Sequence, residues 1–124
     1  MPLVTITLRP VFSEGEQREI TQAIHTSLVE EIGISDGDFN HRILELDERH
    51  WHIPAGKSDR FVCVEIRLYP GRTPEMKRAL YRSIVKKLRS IGVPSGDVFI
   101  VLDEPPKENW SVAFAAELLD GVMA

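Results

Sequence analysis

A two-layer α/β domain made of a duplicated strand–helix–strand unit is the fold class this sequence predicts, and three observations point to it. The chain aligns with itself at an offset of about sixty residues, so that Ile20, Ile24 and Leu28 fall on Leu80, Ile84 and Leu88. Each set has the i, i+4, i+8 spacing of one buried helical stripe. The exits of the two helical stretches also match: Ile32-Gly33-Ile34-Ser35-Asp36-Gly37-Asp38-Phe39 lies over Ile91-Gly92-Val93-Pro94-Ser95-Gly96-Asp97-Val98 at an offset of 59, with Ile, Gly, Gly and Asp identical. Finally, Leu3–Leu8 and Phe61–Leu68 alternate apolar and polar residues, the period-2 pattern of half-buried strands.

Taken in order, each element has a local cause. The strand at Leu3–Leu8 stops near Pro10, and the one at Phe61–Leu68 stops near Pro70, sixty residues on. The helices begin where Ser13 with Glu16 has capping-box spacing and where Thr73-Pro74 sets a capping hydroxyl before a first-turn proline. Gly33 and Gly92 stand where left-handed residues end helices. Apolar stretches around Ile43–Leu46 and Val98–Leu102 supply a second strand to each half. The predicted order is βαββαβ in a single domain over 1–124, with internal halves 2–46 and 61–103. Between them, His50–Asp59 reads as a short strand and turn. A tail over 109–124 carries Trp110, Ala113, Phe114, Leu118 and Leu119, apolar residues that need a packing partner. Helices on one face of a four-stranded sheet leave the other face bare, and such sheets usually oligomerise.

Composition narrows the partners. The 124 residues include 15 Lys plus Arg against 19 Asp plus Glu, a formal net charge of −4, which provides no global attraction to nucleic acid or anionic lipid. The basic helix face of Lys77, Arg78, Arg82, Lys86, Lys87 and Arg89 reads as solvated surface. One cysteine, Cys63, excludes an internal disulfide framework and any multi-cysteine metal site. With no signal-peptide pattern and no run long enough to span a membrane, the expectation is a cytoplasmic protein that binds neither membrane nor nucleic acid. His50 and His52 form the one metal-like pair, but no third ligand falls nearby, so no metal is expected. No phosphate loop, dinucleotide fingerprint or Ser-His-Asp pattern is present.

Two folds share the βαββαβ order: the ferredoxin-like fold, common in ligand-binding modules, and the tautomerase fold. Pro2 follows the initiator methionine, and Met before a small residue is normally cleaved, which would leave a free amino-terminal proline at the start of a buried strand. With Pro2-Leu3-Val4, Pro70–Lys77, Asp97–Val101 and Asn109-Trp110-Ser111, the chain resembles the tautomerase superfamily over essentially its whole length, most closely the double-length branch that includes malonate semialdehyde decarboxylase. The resemblance implies a homotrimer, no cofactor, and a processed Pro2 acting as catalytic base and acid on a small 2-hydroxyalkenoic or 2-oxo acid. A secondary amine suits that work, because burial disfavours its ammonium form and brings its pKa towards neutrality.

Arg72 is the second expected catalytic residue, at the strand-to-helix turn where family members place an arginine for the substrate carboxylate. Its counterpart in the first half is Phe12, so the repeat itself does not demand an arginine. Asp38 aligns with the aspartate that activates water in malonate semialdehyde decarboxylase, yet Asp97 holds the equivalent place in the second half, which favours a shared turn role. The chain departs from the family at Tyr69, where the decarboxylase and related dehalogenases carry an arginine, and at Asn40, where 4-oxalocrotonate tautomerase does. Tyr69, Arg9 and Trp110 are the expected substrate-binding residues: a hydrogen-bond donor, a compensating charge and an aromatic wall. The rival readings are a hydratase, decarboxylase or dehalogenase using the same proline, a binding or scaffold protein keeping only the fold, and a ferredoxin-like ligand-binding module.

Overall fold

The computed structural model describes residues 1–118 and leaves Leu119 of the expected apolar tail outside the described residues. Strand β1 (Leu3–Leu8) leads through helix α1 (Glu14–Ile32) to β2 (His41–Glu45), and β3 (Val62–Arg67) leads through α2 (Pro74–Ser90) to β4 (Val98–Asp103). The sheet order is β2-β1-β3-β4. Each half is a parallel strand pair joined by its helix, and the halves meet where β1 runs antiparallel to β3, with Leu3 opposite Arg67 and Thr7 opposite Cys63. Because β1 and β2 are direct neighbours, with no strand inserted between them, the split βαβ arrangement of a ferredoxin-like module does not apply.

The core is the contact between one sheet face and the two helical stripes. Ile20, Ile24 and Leu28 of α1 and Leu80, Ile84 and Leu88 of α2 are fully buried, as are Val4, Ile6 and Leu8 of β1 and Val62, Val64 and Ile66 of β3. The helices start as their caps dictate. Ser13 Oγ accepts from the Glu16 N–H while Glu16 Oε1 accepts from the Ser13 N–H, and Thr73 Oγ1 accepts from the Met76 N–H. At the exits the repeat is imperfect: Gly33 itself caps α1 at φ +80°, whereas α2 is capped by Ile91 in the right-handed region and Gly92 follows at φ +101°.

One expectation fails. No strand forms over 50–59; instead the Trp51 and His50 amides close a turn onto the Asp47 carbonyl, and Pro54 opens a second turn to Lys57. Two turns in ten residues leave no extended stretch long enough to pair, so His50 and His52 do not share a strand face. The described part of the tail finds no partner within the single chain. Val112, Phe114 and Leu118 remain exposed, with only Trp110 anchored, through its indole N–H to the Pro105 carbonyl at 3.0 Å.

The sheet face away from the helices carries an apolar row across three strand junctions. Leu44 pairs with Thr7, Thr7 with Cys63, and Cys63 with Phe99, while Val101 lies one step along β4 on the same face. Leu44, Phe99 and Val101 are all more than 40% exposed in the single chain.

Candidate active site

The antiparallel pairing of β1 with β3 gathers most of the expected site residues at one end of the sheet. Here β1 and β2 begin, and β3 and β4 end. Pro2 is buried immediately before Leu3, the first residue of β1. Met1 packs against the core beside it, and its ammonium lies 3.9 Å from Asp38 Oδ1. Asp38 stands in the connection from α1 to β2, a connection pinned to β1 by the Val4 N–H donating to the Asn40 carbonyl at 3.0 Å.

From the β3 side come Tyr69 and Arg72. The Arg72 guanidinium folds back over its own turn, Nη1 donating to the Tyr69 carbonyl at 3.2 Å, and it is half-buried without a carboxylate partner among the described residues. Beyond β4, Trp110 stands edge-on to Tyr69, ring centroids 5.4 Å apart. Lys107, which the sequence presents only as one more polar residue of a loop, places its ammonium 5.3 Å from the centre of the Tyr69 ring. Its one available signal was spacing, three residues before Trp110. Pro2, Asp38, Tyr69, Arg72, Trp110 and Lys107 therefore share one end, where Arg72 and Lys107 have no carboxylate partner among the described residues.

Arg9 does not join them. It follows the far end of β1, about 20 Å away along a six-residue strand. There Nη1 makes a long contact of 3.5 Å to the Leu46 carbonyl and the guanidinium lies 5.6 Å over the Trp51 ring.

The internal repeat supplies a control for the other residues. At the far end Arg9 takes the place of Tyr69, Trp51 that of Trp110, Phe12 that of Arg72, and Val62, an ordinary amide in mid-chain, that of Pro2. The two aspartates differ in the same sense. Both backbone N–H groups close equivalent turns, Asp38 onto the Ser35 carbonyl and Asp97 onto the Pro94 carbonyl. The side chains then part: Asp97 is buried and accepts from the Ser58 hydroxyl and N–H, whereas Asp38 is about half exposed and directed at the amino terminus. The turn role explains the backbone of both; Ser58 accounts for the carboxylate of Asp97, and neither accounts for that of Asp38.

Beside the Asp38 connection sits a three-ring cluster. Phe39 stacks on His25 with centroids 4.0 Å apart and meets His41 at 4.7 Å. His41 Nδ1 lies 2.6 Å from Thr21 Oγ1, and burial, aided by the neighbouring His25, pushes its pKa from the ordinary 6.5 down to about 4. Between those values the unfolded chain takes up a proton that the folded chain refuses, so His41 contributes a loss of stability as the pH falls from about 6.5 to about 4. His41→Phe is expected to flatten that part of the stability curve, read from urea midpoints at pH 7, 5.5 and 4.5; an unchanged slope would contradict it.

Comparison with known proteins agrees with this fold. Residues 38–113 match the family described as tautomerase enzyme. The probable tautomerase YusQ of Bacillus subtilis (strain 168) is 33% identical over 117 residues, covering 90% of this chain and 92% of the relative. The structure of FG41 malonate semialdehyde decarboxylase inhibited by 3-bromopropiolate superimposes with a TM-score of 0.84 at 29% identity, over 93% of this chain and 95% of that one. A wild-type fused 4-OT, a symmetric trimer, shares the fold with a TM-score of 0.74 at 24% identity, over 85% and 86% of the two chains. No helix of the described residues is long and apolar enough to cross a membrane. The chain belongs to the tautomerase enzyme family and, within it, is similar to the malonate semialdehyde decarboxylase branch.

Proposed function

We propose that this protein interconverts the enol and keto forms of small 2-hydroxyalkenoic and 2-oxo acids, with Pro2 as the base and acid after removal of Met1. The observation that carries this reading is the burial of Pro2 at the one sheet end where a half-buried arginine without a carboxylate partner, a second cation and two aromatic rings collect. While Met1 is attached, the Pro2 nitrogen is a tertiary amide with neither a proton nor a basic lone pair. Cleavage creates a secondary amine and vacates the space that Met1 fills against the core.

In the reaction the amine takes the proton from the enol oxygen, the electron pair closes the carbonyl, and the same proton returns to carbon, so nothing is consumed. Arg72 would hold the substrate carboxylate and draw electron density from the adjacent oxygen. Asp38, whose carboxylate lies 3.9 Å from the ammonium of Met1, the residue bonded to Pro2, would stabilise the ammonium formed midway. Trp110 and Tyr69 would wall the substrate's carbon chain.

A homotrimer belongs to this proposal. The bare row of Leu44, Phe99 and Val101 calls for a cover, and a fused 4-OT with the same fold is a trimer. The exposed Val112, Phe114 and Leu118 would then find neighbours that a single chain lacks.

A second reading, water addition or decarboxylation with protonated Pro2 as the acid, is supported by the half-exposed carboxylate of Asp38 near the amino terminus, which would orient a water molecule. Turnover of 2-hydroxy-2,4-pentadienoate, followed by ultraviolet absorbance, alongside carbon dioxide release from malonate semialdehyde, separates the two. Ketonisation without carbon dioxide supports the first, and the reverse pattern transfers the assignment to the second. Light scattering should give three times the chain mass; a monomer would contradict the assembly.

A further inference from the structure

Among the described residues, His25 is the one fully buried titratable side chain that the chemistry above does not use. It lies on α1 beside the Ile24–Leu28 stripe, 1% exposed, where an aliphatic residue would serve the core equally well. Buried polar side chains persist where a hydrogen bond needs them. The ring's Nε2 lies 2.9 Å from the Asp36 carbonyl and 3.2 Å from Asp36 Oδ1. A carbonyl only accepts, so Nε2 carries the proton and donates it. Its other nitrogen, Nδ1, has no partner among the described residues, so the hydrogen bonding of this ring is spent on the one loop.

The loop is the one that carries Asp38. His25 grips it on both sides of that residue, at Asp36 by the hydrogen bond and at Phe39 by the face-to-face stack, whose planes differ by 14°. Between the two grips the chain closes its turn, with the Asp38 N–H on the Ser35 carbonyl, and sends the Asp38 carboxylate to the amino terminus. Phe39 itself is 43% exposed, so hydrophobic burial alone does not hold it there.

We infer that His25 is a positioning residue whose ring fixes the 36–39 loop so that the Asp38 carboxylate faces the amino-terminal amine. The inference rests on the proposed role of Pro2 and of Asp38 beside it. Its physical content is electrostatic. The 3.9 Å approach is to the Met1 ammonium, one residue before the nitrogen that cleavage exposes; a carboxylate held beside the Pro2 amine would favour its charged form, and that influence lasts only while the loop holds the carboxylate in place. The other charged groups at this end are Arg72 and Lys107 beside Tyr69, the Lys77–Glu104 pair, and the Arg67–Asp103 pair at the ends of β3 and β4, with Arg67 opposite Leu3; of these and Asp38, Asp38 is the one within ion-pair distance of the Met1 ammonium among the described residues.

The test reads the amine directly and needs no substrate. The alkylation rate of Pro2 by 3-bromopyruvate is followed against pH by intact mass and peptide mapping; the amine nitrogen bonds the methylene carbon, bromide leaves, and the ammonium proton goes to buffer. The midpoint of the pH profile reports the amine. Asp38→Asn should lower it by about half a unit to one unit. His25→Leu should lower it by the same amount, His25→Gln, which keeps a donor at the reach of Nε2 but loses the stack on Phe39, should recover part of that shift, and the Asp38→Asn/His25→Leu double variant should match Asp38→Asn alone. Should His25→Leu fail to fold, Phe39→Leu removes the stack from an exposed position and should lower the midpoint in the same direction.

A wild-type midpoint in both His25→Leu and Phe39→Leu, or a double variant shifted by the sum of the single shifts, overturns the inference and leaves Pro2 and Asp38 in place. An unchanged midpoint in Asp38→Asn overturns it together with the role of Asp38. Absence of any label on Pro2 overturns the proposed function as well.

Discussion

Pro2→Ala is expected to lower kcat/KM for a 2-hydroxyalkenoate by about 10²–10⁴-fold, the range that a well-placed general acid–base group contributes. The variant keeps a terminal amine after processing, but a primary one on a freely rotating residue. Proline loses little on being fixed, because its ring already sets φ and leaves one orientation for the nitrogen. The loss should fall on kcat, since the amine acts on the moving proton and Arg72 is left to bind the acid. Steady-state kinetics on the wild type and the variant, with mass spectrometry to verify processing of both, would check this. Full activity in a correctly processed Pro2→Ala protein would remove the amine from the mechanism.

Arg72→Ala should cost about 1.5–3 kcal/mol of transition-state stabilisation, the worth of a hydrogen bond to a charged group, or roughly a 10–150-fold fall in kcat/KM. Arg72 donates to the Tyr69 carbonyl and has no carboxylate partner among the described residues, so a substrate carboxylate need not displace one. A rise in KM with kcat held would mean that Arg72 grips substrate and transition state alike, while a fall in kcat would mean that it also polarises the reacting oxygen. Arg72→Lys should recover only part of the loss, because an ammonium lacks the two-pronged geometry of a guanidinium. An unaltered kcat/KM in Arg72→Ala would exclude it from the site.

What the sequence made legible is what local chemistry decides. The stripes Ile20–Ile24–Leu28 and Leu80–Ile84–Leu88 are buried as their spacing requires, and the Ser13–Glu16 box and the Thr73-Pro74 cap open their helices. The duplication was readable for the same reason, since two similar halves must solve the same packing problem. Features created by contacts between distant segments were harder to read. Asp38 and Asp97 look alike in sequence because their turns are alike, and only the third dimension shows Ser58 beneath one and the amino terminus beside the other.

His25 is a harder case again. It carries no motif, and its meaning depends on a loop eleven residues on reaching back to it. The strand expected over 50–59 failed because its hydrophobic residues are separated by turns closing at Trp51 and Lys57. Arg9 looked useful as a charge, but a charge acts over distance, and the length of β1 carries it to the opposite end of the sheet.

A free, reactive amine at Pro2 is the centre of the mechanism, and one measurement reaches it directly: intact mass and peptide mapping after brief exposure to 3-bromopyruvate at neutral pH. Cys63 is the natural competitor, but burial, with Glu65 adding to it, pushes its thiol up and keeps it in the unreactive protonated form. The predicted result is a chain lacking Met1 with a single adduct mapping to Pro2, formed more slowly as the pH is lowered. Retention of Met1, or a free Pro2 left unmodified while Cys63 takes the label, would contradict it.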